Sequence, residues 1–244
     1  MSTPAAKPCP SVSSKTDWRV DYLAEFKALA CADEYPCIYV KQAFEKDHLS
    51  FHFVDDAHCP TDREQAFEAF RSYVADVLAT PEERTAAMKI LLIVINSESL
   101  AESHEALAWE LLNDFTRRDD IAWPAHLPRD PDEADWAYCF QGQRIFVNIS
   151  SPEHQLRRSR NLGRHLVLVL QLRDGIDCIA PPDSKGDVIR NFIRKRIDAY
   201  DAVPVSPDLA THGQGENRDW KQFWLGDRET VMQGKCPFHA PSGN

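Results

Sequence analysis

Apolar residues recur along this chain at two spacings, and the alternation between them sketches its elements. Tyr22, Leu23, Phe26 and Leu29 share one face of a helix running from about Trp18 to Cys31. PCIYV (36–40) and LSFHFV (49–54) read as short strands, the second alternating Leu49, Phe51 and Phe53. Thr61 with Glu64 forms a capping box for a helix carrying Phe67, Phe70, Tyr73, Val74 and Val77, which stops at Thr80-Pro81. MKILLIVI (88–95) is a continuous β-branched and leucine run, the pattern of a strand buried on both faces. Ser99 and Glu102 cap the next helix, with Leu107, Leu111, Leu112 and Phe115 on its apolar side. WAYCF-QGQ-RIFVNI predicts a hairpin turning at Gly142, and HLVLVLQL a second central strand. Ser184 and Asp187 open a last long helix. Val188, Ile189, Phe192, Ile193, Ile197 and Tyr200 are expected to face the core there, with Arg190 and Arg194 outward.

These elements predict an α+β fold: a mixed or largely antiparallel sheet of about six strands flanked by helices. Residues 1–16, polar and rich in Pro and Ser, read as a disordered lead-in. Residues 17–244 then form one domain with an irregular tail from about residue 203.

Composition narrows the function classes. The longest apolar run, Ile90–Ile95, is far too short to span a bilayer, and the first residues hold no apolar signal core. A cytoplasmic, non-membrane protein is expected. Seven cysteines without a repeating spacing fit reduced thiols. A net charge of −10 argues against nucleic-acid binding. No Rossmann or P-loop glycine pattern, HExxH or GxSxG is present, so side chains rather than glycine loops must carry any chemistry.

The charge is unevenly spread. From His154 to Tyr200 there are ten Lys or Arg against five Asp or Glu, a net +5 within an acidic protein. NISSPEHQLRRSRNLG (148–163) concentrates this, with His154 followed by Arg157, Arg158 and Arg160. Such a cluster suits a bound anion, although a solvated basic face is the commoner meaning of a charge run. Cys236 and His239 in CPFH have half the spacing of a zinc site, with His212 and Cys178 as the remaining candidates.

Six stretches, in order, give the chain a resemblance to the YqcI/YcgG family. They are YPCIYVKQAF, AWELLNDF with WPAHLPRDP, WAYCFQGQRIFVNISSPEH running into RRSRNLG, RKRIDAYD, SPDLATHGQGENRDWKQFWL, and CPFH. The resemblance implies a haem-dependent monooxygenase that N-hydroxylates a guanidine or small amine group of an arginine-like amino acid. It implies haem b, with O2 or a peroxide as oxidant, and a separate reductase where O2 is used. On this reading His154 coordinates the iron, with Cys236 as the rival ligand, and Arg157, Arg158 and Arg160 anchor the two propionates. Glu110 and Asp114, one helical turn apart, would pair with a guanidinium, and Trp220 with Trp224 would line the substrate pocket. Trp136 is assigned to the core. SPDLATHG and KQFW depart from the family pattern, which bears on the substrate more than on the cofactor. Two other readings remain open: a non-catalytic haem-binding or sensing protein, and a haem-free protein that binds a small anion.

Overall fold

In the computed structural model, residues 17–98 and 100–239 are described; the expected lead-in and the Ser99 cap lie outside them. The all-apolar run becomes β2 (Ile90–Ile95), buried at every position. It pairs in parallel with β1 (Leu49–Val54) and antiparallel with β5 (Leu166–Leu172), which pairs antiparallel with β4 (Gln143–Ser150). β3 (Tyr138–Phe140) closes the order β1-β2-β5-β4-β3, an open mixed sheet of five strands. The parallel pair requires a crossover, supplied by α3 (Pro60–Leu78) and α4 (Glu83–Met88).

Alternation divides the sheet into two unlike faces. Leu91, Ile93, Leu168, Leu170, Ile145 and Val147 point into one core, roofed by α3 and by α5 (His104–Arg118). Phe70 stacks on Phe140 there with centroids 4.0 Å apart. On the other face Ile90, Leu92, Val94 and Val167 meet Tyr22 and Phe26 of α1 (Trp18–Ala30), beside Tyr39, Val40 and Phe44 of α2 (Ile38–Glu45). Farther along that face stand Val169, Gln171, Phe146 and Asn148. They lie not under a packed helix but under a cavity roofed by α7 (Ser184–Tyr200).

The hairpin forms as the sequence predicts. Gln141 and Gly142 both have positive φ, at 50° and 69°, the conformation that two-residue hairpins favour. Glycine adopts it freely; Gln141 is held in it by Asp119 at the end of α5, whose carboxylate accepts from its backbone N–H at 2.7 Å and its side-chain amide at 2.6 Å.

Several expectations need correction. The strand at PCIYV is instead the start of α2, which is why the sheet has five strands rather than about six. Tyr39, Val40, Ala43 and Phe44 recur at helical spacing, a pattern longer than a five-residue window shows. The cap of α3 is Cys59 with Pro60 in the first turn, and α5 begins after Ser103. Short helices α4 and α6 (Arg173–Ile179) join the elements read from the sequence. Cys31, Cys37, Cys139, Cys178 and Cys236 are free thiols as expected, whereas Cys59 is disulfide-bonded. None of the described helices is long and apolar enough to cross a membrane.

The largest correction concerns α7. Val188 is 69% and Phe192 50% exposed, while Ile189, Ile193 and Ile197 border the cavity together with Arg190 and Arg194. The arginines turn inward because they satisfy backbone carbonyls: Arg190 donates to Ala180 and Pro181 at 2.8 and 2.9 Å, and Arg194 to Leu209 at 3.1 Å. The N-terminus of α7 sits so close to the preceding turn that a Cβ on Gly186 would lie 1.8 Å from the Pro181 oxygen. Helix propensity alone favours alanine over glycine by about 1 kcal/mol. The contact reverses that sign, because overpacking costs about 1–3 kcal/mol. Gly186→Ala should therefore lower Tm by several degrees in a thermal melt; an unchanged or raised Tm would show that α7 is not seated as described.

Candidate functional site

The basic segment after β4 folds into a tight loop with a 3₁₀ turn at Arg158–Arg160. Asp227 organises it, accepting from the backbone N–H groups of Gln155, Leu156 and Arg157 at 2.8–2.9 Å. The three arginines then part ways. Arg157 is 1% exposed and donates to the carbonyls of Gly226, Pro204 and Arg228, each at 3.0 Å, so its donors bind the tail to the loop. Arg158 lies over the Tyr200 ring at 4.9 Å and donates to that residue's carbonyl. Arg160 is different. It is 6% exposed, borders the cavity, and donates one long bond, 3.4 Å, to the Phe223 carbonyl. Among the described residues no carboxylate lies within ion-pair distance of it. Burial and the neighbouring Arg157 pull its pKa down to about 10, against Tyr35 and Asp201. A buried cation so poorly compensated is a candidate partner for an anion.

The cavity beside it has a volume of about 320 Å³, within the range of small-molecule and cofactor sites. Its walls are chiefly apolar, and besides Asp177, Tyr35 and Tyr39 two side chains with ligand chemistry border it. One is His212, in the loop after α7. Its side chain is 10% exposed, and Nδ1 stands 3.5 Å from Asp219. Asp219 is itself 1% exposed and accepts from one Arg173 nitrogen through both oxygens at 2.7 Å. Burial pushes the Asp219 carboxyl up, but Arg173 and His212 together hold it below its ordinary value. The second is Cys37, the residue before α2. Burial raises the pKa of its thiol, partly offset by the facing N–H groups of Val40 and Tyr39. His212 and Asp177 also border a second, open and more polar cleft of about 790 Å³, which carries Glu133, Asp135 and Arg144.

Of the haem and substrate residues expected from the sequence, Arg157 and Arg160 border this cavity and the others do not; His212, weighed there only as a zinc ligand, borders it too. His154 is 1% exposed and packs against Trp224 at 4.2 Å, with neither ring nitrogen hydrogen-bonded. Cys236 packs against the core on the opposite face of the sheet, where burial pushes its thiol up to about 12. The tail around it is pinned: Asn113 donates to the Pro237 carbonyl and accepts from the His239 N–H. Glu110 pairs with Arg63 at 2.7 Å, and Asp114 with Arg117 and Arg118 at 2.9 Å, so both carboxylates already have cations. Trp220, Trp224 and Trp136 belong to the first core. Among the described residues no group of three His, Cys, Asp or Glu is placed to hold a metal ion. Cys37, on the cavity wall, and Asp219, behind His212, are not singled out by the sequence, and His212 is weighed there only as a zinc ligand. The signal available was their place in two of the six family-like stretches, YPCIYVKQAF and SPDLATHGQGENRDW.

His154 generates a pH-dependent prediction. Burial, reinforced by Arg160, lowers its pKa from 6.5 to about 4. The folded state therefore binds fewer protons than the unfolded state between those values. Its contribution is fully present above about pH 6.5 and is lost as pH falls towards 4. At about 1.36 kcal/mol per unit the loss is roughly 3 kcal/mol. His154→Phe keeps a ring against Trp224 without the titrating group. Its urea-unfolding stability should gain on wild type by about that amount between pH 7 and pH 4; parallel curves would refute the assignment.

Comparison with known proteins agrees with the motifs. The family model of the YqcI/YcgG family matches residues 26–239. The uncharacterized Bacillus subtilis proteins YqcI and YcgG are each 32% identical to the chain. The matches cover 91% and 85% of this chain and 87% and 81% of theirs. DcsA of Streptomyces lavendulae, provisionally named an N(omega)-hydroxy-L-arginine synthase, is 28% identical over 91% of this chain and 84% of its own. No solved structure matches. With most of its length matched by the family model, the chain belongs to the YqcI/YcgG family.

Proposed function

We propose that this protein N-hydroxylates a guanidine-bearing small molecule of the arginine type, using a haem b held in the cavity between the sheet and α7. The observation that carries the reading is Arg160: a buried, under-bonded guanidinium opening into a largely apolar cavity beside residues able to ligate a metal or handle a proton. Haem asks for that combination, a flat apolar body with carboxylates at one edge and a ligand for its iron. The name of the Streptomyces relative supports the substrate class.

Within this reading the chain's own groups divide the work. Ile90, Leu92 and Val169 below, and Ile189, Ile193 and Ile197 above, exclude water from the reacting centre. Arg160 fixes a carboxylate by charge-assisted hydrogen bonds. A bound haem supplies the oxygen chemistry, which belongs to the cofactor rather than to any side chain. His212, its Nδ1 turned to Asp219, is left with Nε2 to give or take a proton at the cavity wall. Asp177 borders both the cavity and the polar cleft, and so takes the place of Glu110 and Asp114 as the carboxylate that would meet a guanidinium. The negative charges of Glu133 and Asp135 favour entry of a cation from that side.

The purified protein, supplied with haem, should show a Soret band that shifts when L-arginine or a related guanidine is added. With a reductase and O2, or with peroxide, it should release a product carrying one additional oxygen on nitrogen, read by mass spectrometry. Arg160→Ala should weaken haem binding about tenfold to a hundredfold, since such a bond is worth about 1.5–3 kcal/mol. Arg160→Lys should recover part of the loss, and Arg158→Ala, whose guanidinium lies over Tyr200, should change little. A protein that stays colourless through haem titration would contradict the proposal.

A further inference from the structure

Five described cysteines are free, and they differ in where they open. Cys139 and Cys236 belong to the core on the far face of the sheet, whereas Cys31 and Cys178 do not border the cavity. Cys37 alone among them does. Its position is built. Cys37 is the N-cap of the eight-residue α2, with φ −84° and ψ 100°, so the sulfur stands at the positive end of the helix and faces the N–H groups of Tyr39 and Val40. The turn before it cannot wander. Arg196 of α7 donates to the carbonyls of Asp33, Tyr35 and Pro36, and the Tyr35 hydroxyl donates to the Ser159 carbonyl at 3.3 Å, next to Arg160.

A cysteine at a helix start means little alone, but the same cavity holds an independent sign of a ligand. Arg160, 6% exposed, has no counter-ion among the described residues. His212 borders the same cavity with its Nδ1 turned towards Asp219, 3.5 Å away. The two candidate donors also come from different sides. Cys37 packs with the cluster over β1 and β2, whereas His212 belongs with Asp219 and Arg173, and Arg173 lies over Phe146 of β4 at 5.3 Å.

Resting on the haem reading above, we propose that Cys37 is the axial ligand, its sulfur bound as thiolate to the iron from the β1–β2 side, while His212 serves the opposite, substrate-facing side. A thiol loses its proton outright on coordinating a metal. A thiolate ligand is the kind that favours O–O cleavage, which suits an oxygen-inserting enzyme. The arrangement also fits the polar cleft, which adjoins His212 and not Cys37.

The test is the absorption spectrum of the ferrous–CO complex, with low-temperature EPR of the ferric form, on the full chain reconstituted with haem. A thiolate-ligated complex absorbs far to the red of an imidazole-ligated one. Wild type, Cys236→Ser and His212→Gln should all show the red-shifted band. Cys37→Ser should lose it, and Cys37→His should give an imidazole-type spectrum. Circular dichroism checks that each variant is folded, and Cys37→His carries the test should the serine variant fail to fold. Persistence of the red-shifted band in Cys37→Ser with its loss in Cys236→Ser would overturn the assignment. So would an imidazole-type wild-type spectrum that disappears in His212→Gln or His154→Phe. Both results leave the haem reading standing, whereas the absence of any Soret band in wild type would remove the reading and the ligand together.

Discussion

Hydrogen bonds from arginine guanidinium groups to backbone carbonyls hold this structure in shape and leave its cavity open. Arg190 and Arg194 tie α7 to the turns before and after it, and Arg196 ties it to the loop before α2. Arg157 binds the tail at Gly226 and Arg228 to the loop after β4. Hydrogen bonds to a charged group contribute about 1.5–3 kcal/mol each, more than neutral ones. With such posts around it, α7 stands over the sheet without burying a large side chain; its one buried residue is Gly186. A helix held off its sheet leaves a space, and here the space is lined by the isoleucines that would otherwise have packed the gap.

The same bonds explain the concentration of positive charge in an acidic protein. Most arginines between His154 and Tyr200 have a carbonyl, a carboxylate or an aromatic ring as partner, and are therefore architectural. Arg160 is the most weakly held, with one 3.4 Å bond to the Phe223 carbonyl, and it borders the cavity. A cluster read as three anchors for an anion is thus one candidate anchor with structural neighbours. Arg173 adds a second layer. Paired with Asp219 in the interior, it holds a carboxylate beside His212, which fixes how that imidazole can orient.

Much of the fold was legible because it is local. β2, β5, the hairpin and α5 follow from periodicities within a dozen residues, and Gly142 marks the turn. The failures share a cause in contacts distant along the chain. Ile38, Tyr39 and Val40 favour a strand locally, and packing over β1 makes them a helix. Arg190 and Arg194 look like solvent-facing charges until the carbonyls they reach are known. The site was less legible still. His154 drew attention through its neighbours in sequence, yet its ring lies against Trp224, 70 positions away. Asp219 meets Arg173 across 46 positions, and Cys37 shares a cavity with His212 only through the topology. Family-like motifs contained these residues without assigning them roles.

The central claim is that the ligand site lies between the sheet and α7, not on the face that holds His154, Trp224 and Cys236. Hydrogen–deuterium exchange with and without haem measures this most directly. The account predicts that haem slows exchange in Ser184–Tyr200, at the start of α2 around Cys37, and in the loop around His212, while α3 and α5 are unaffected. Protection confined to the loop at His154 and the tail around Cys236, with α7 unchanged, would contradict it.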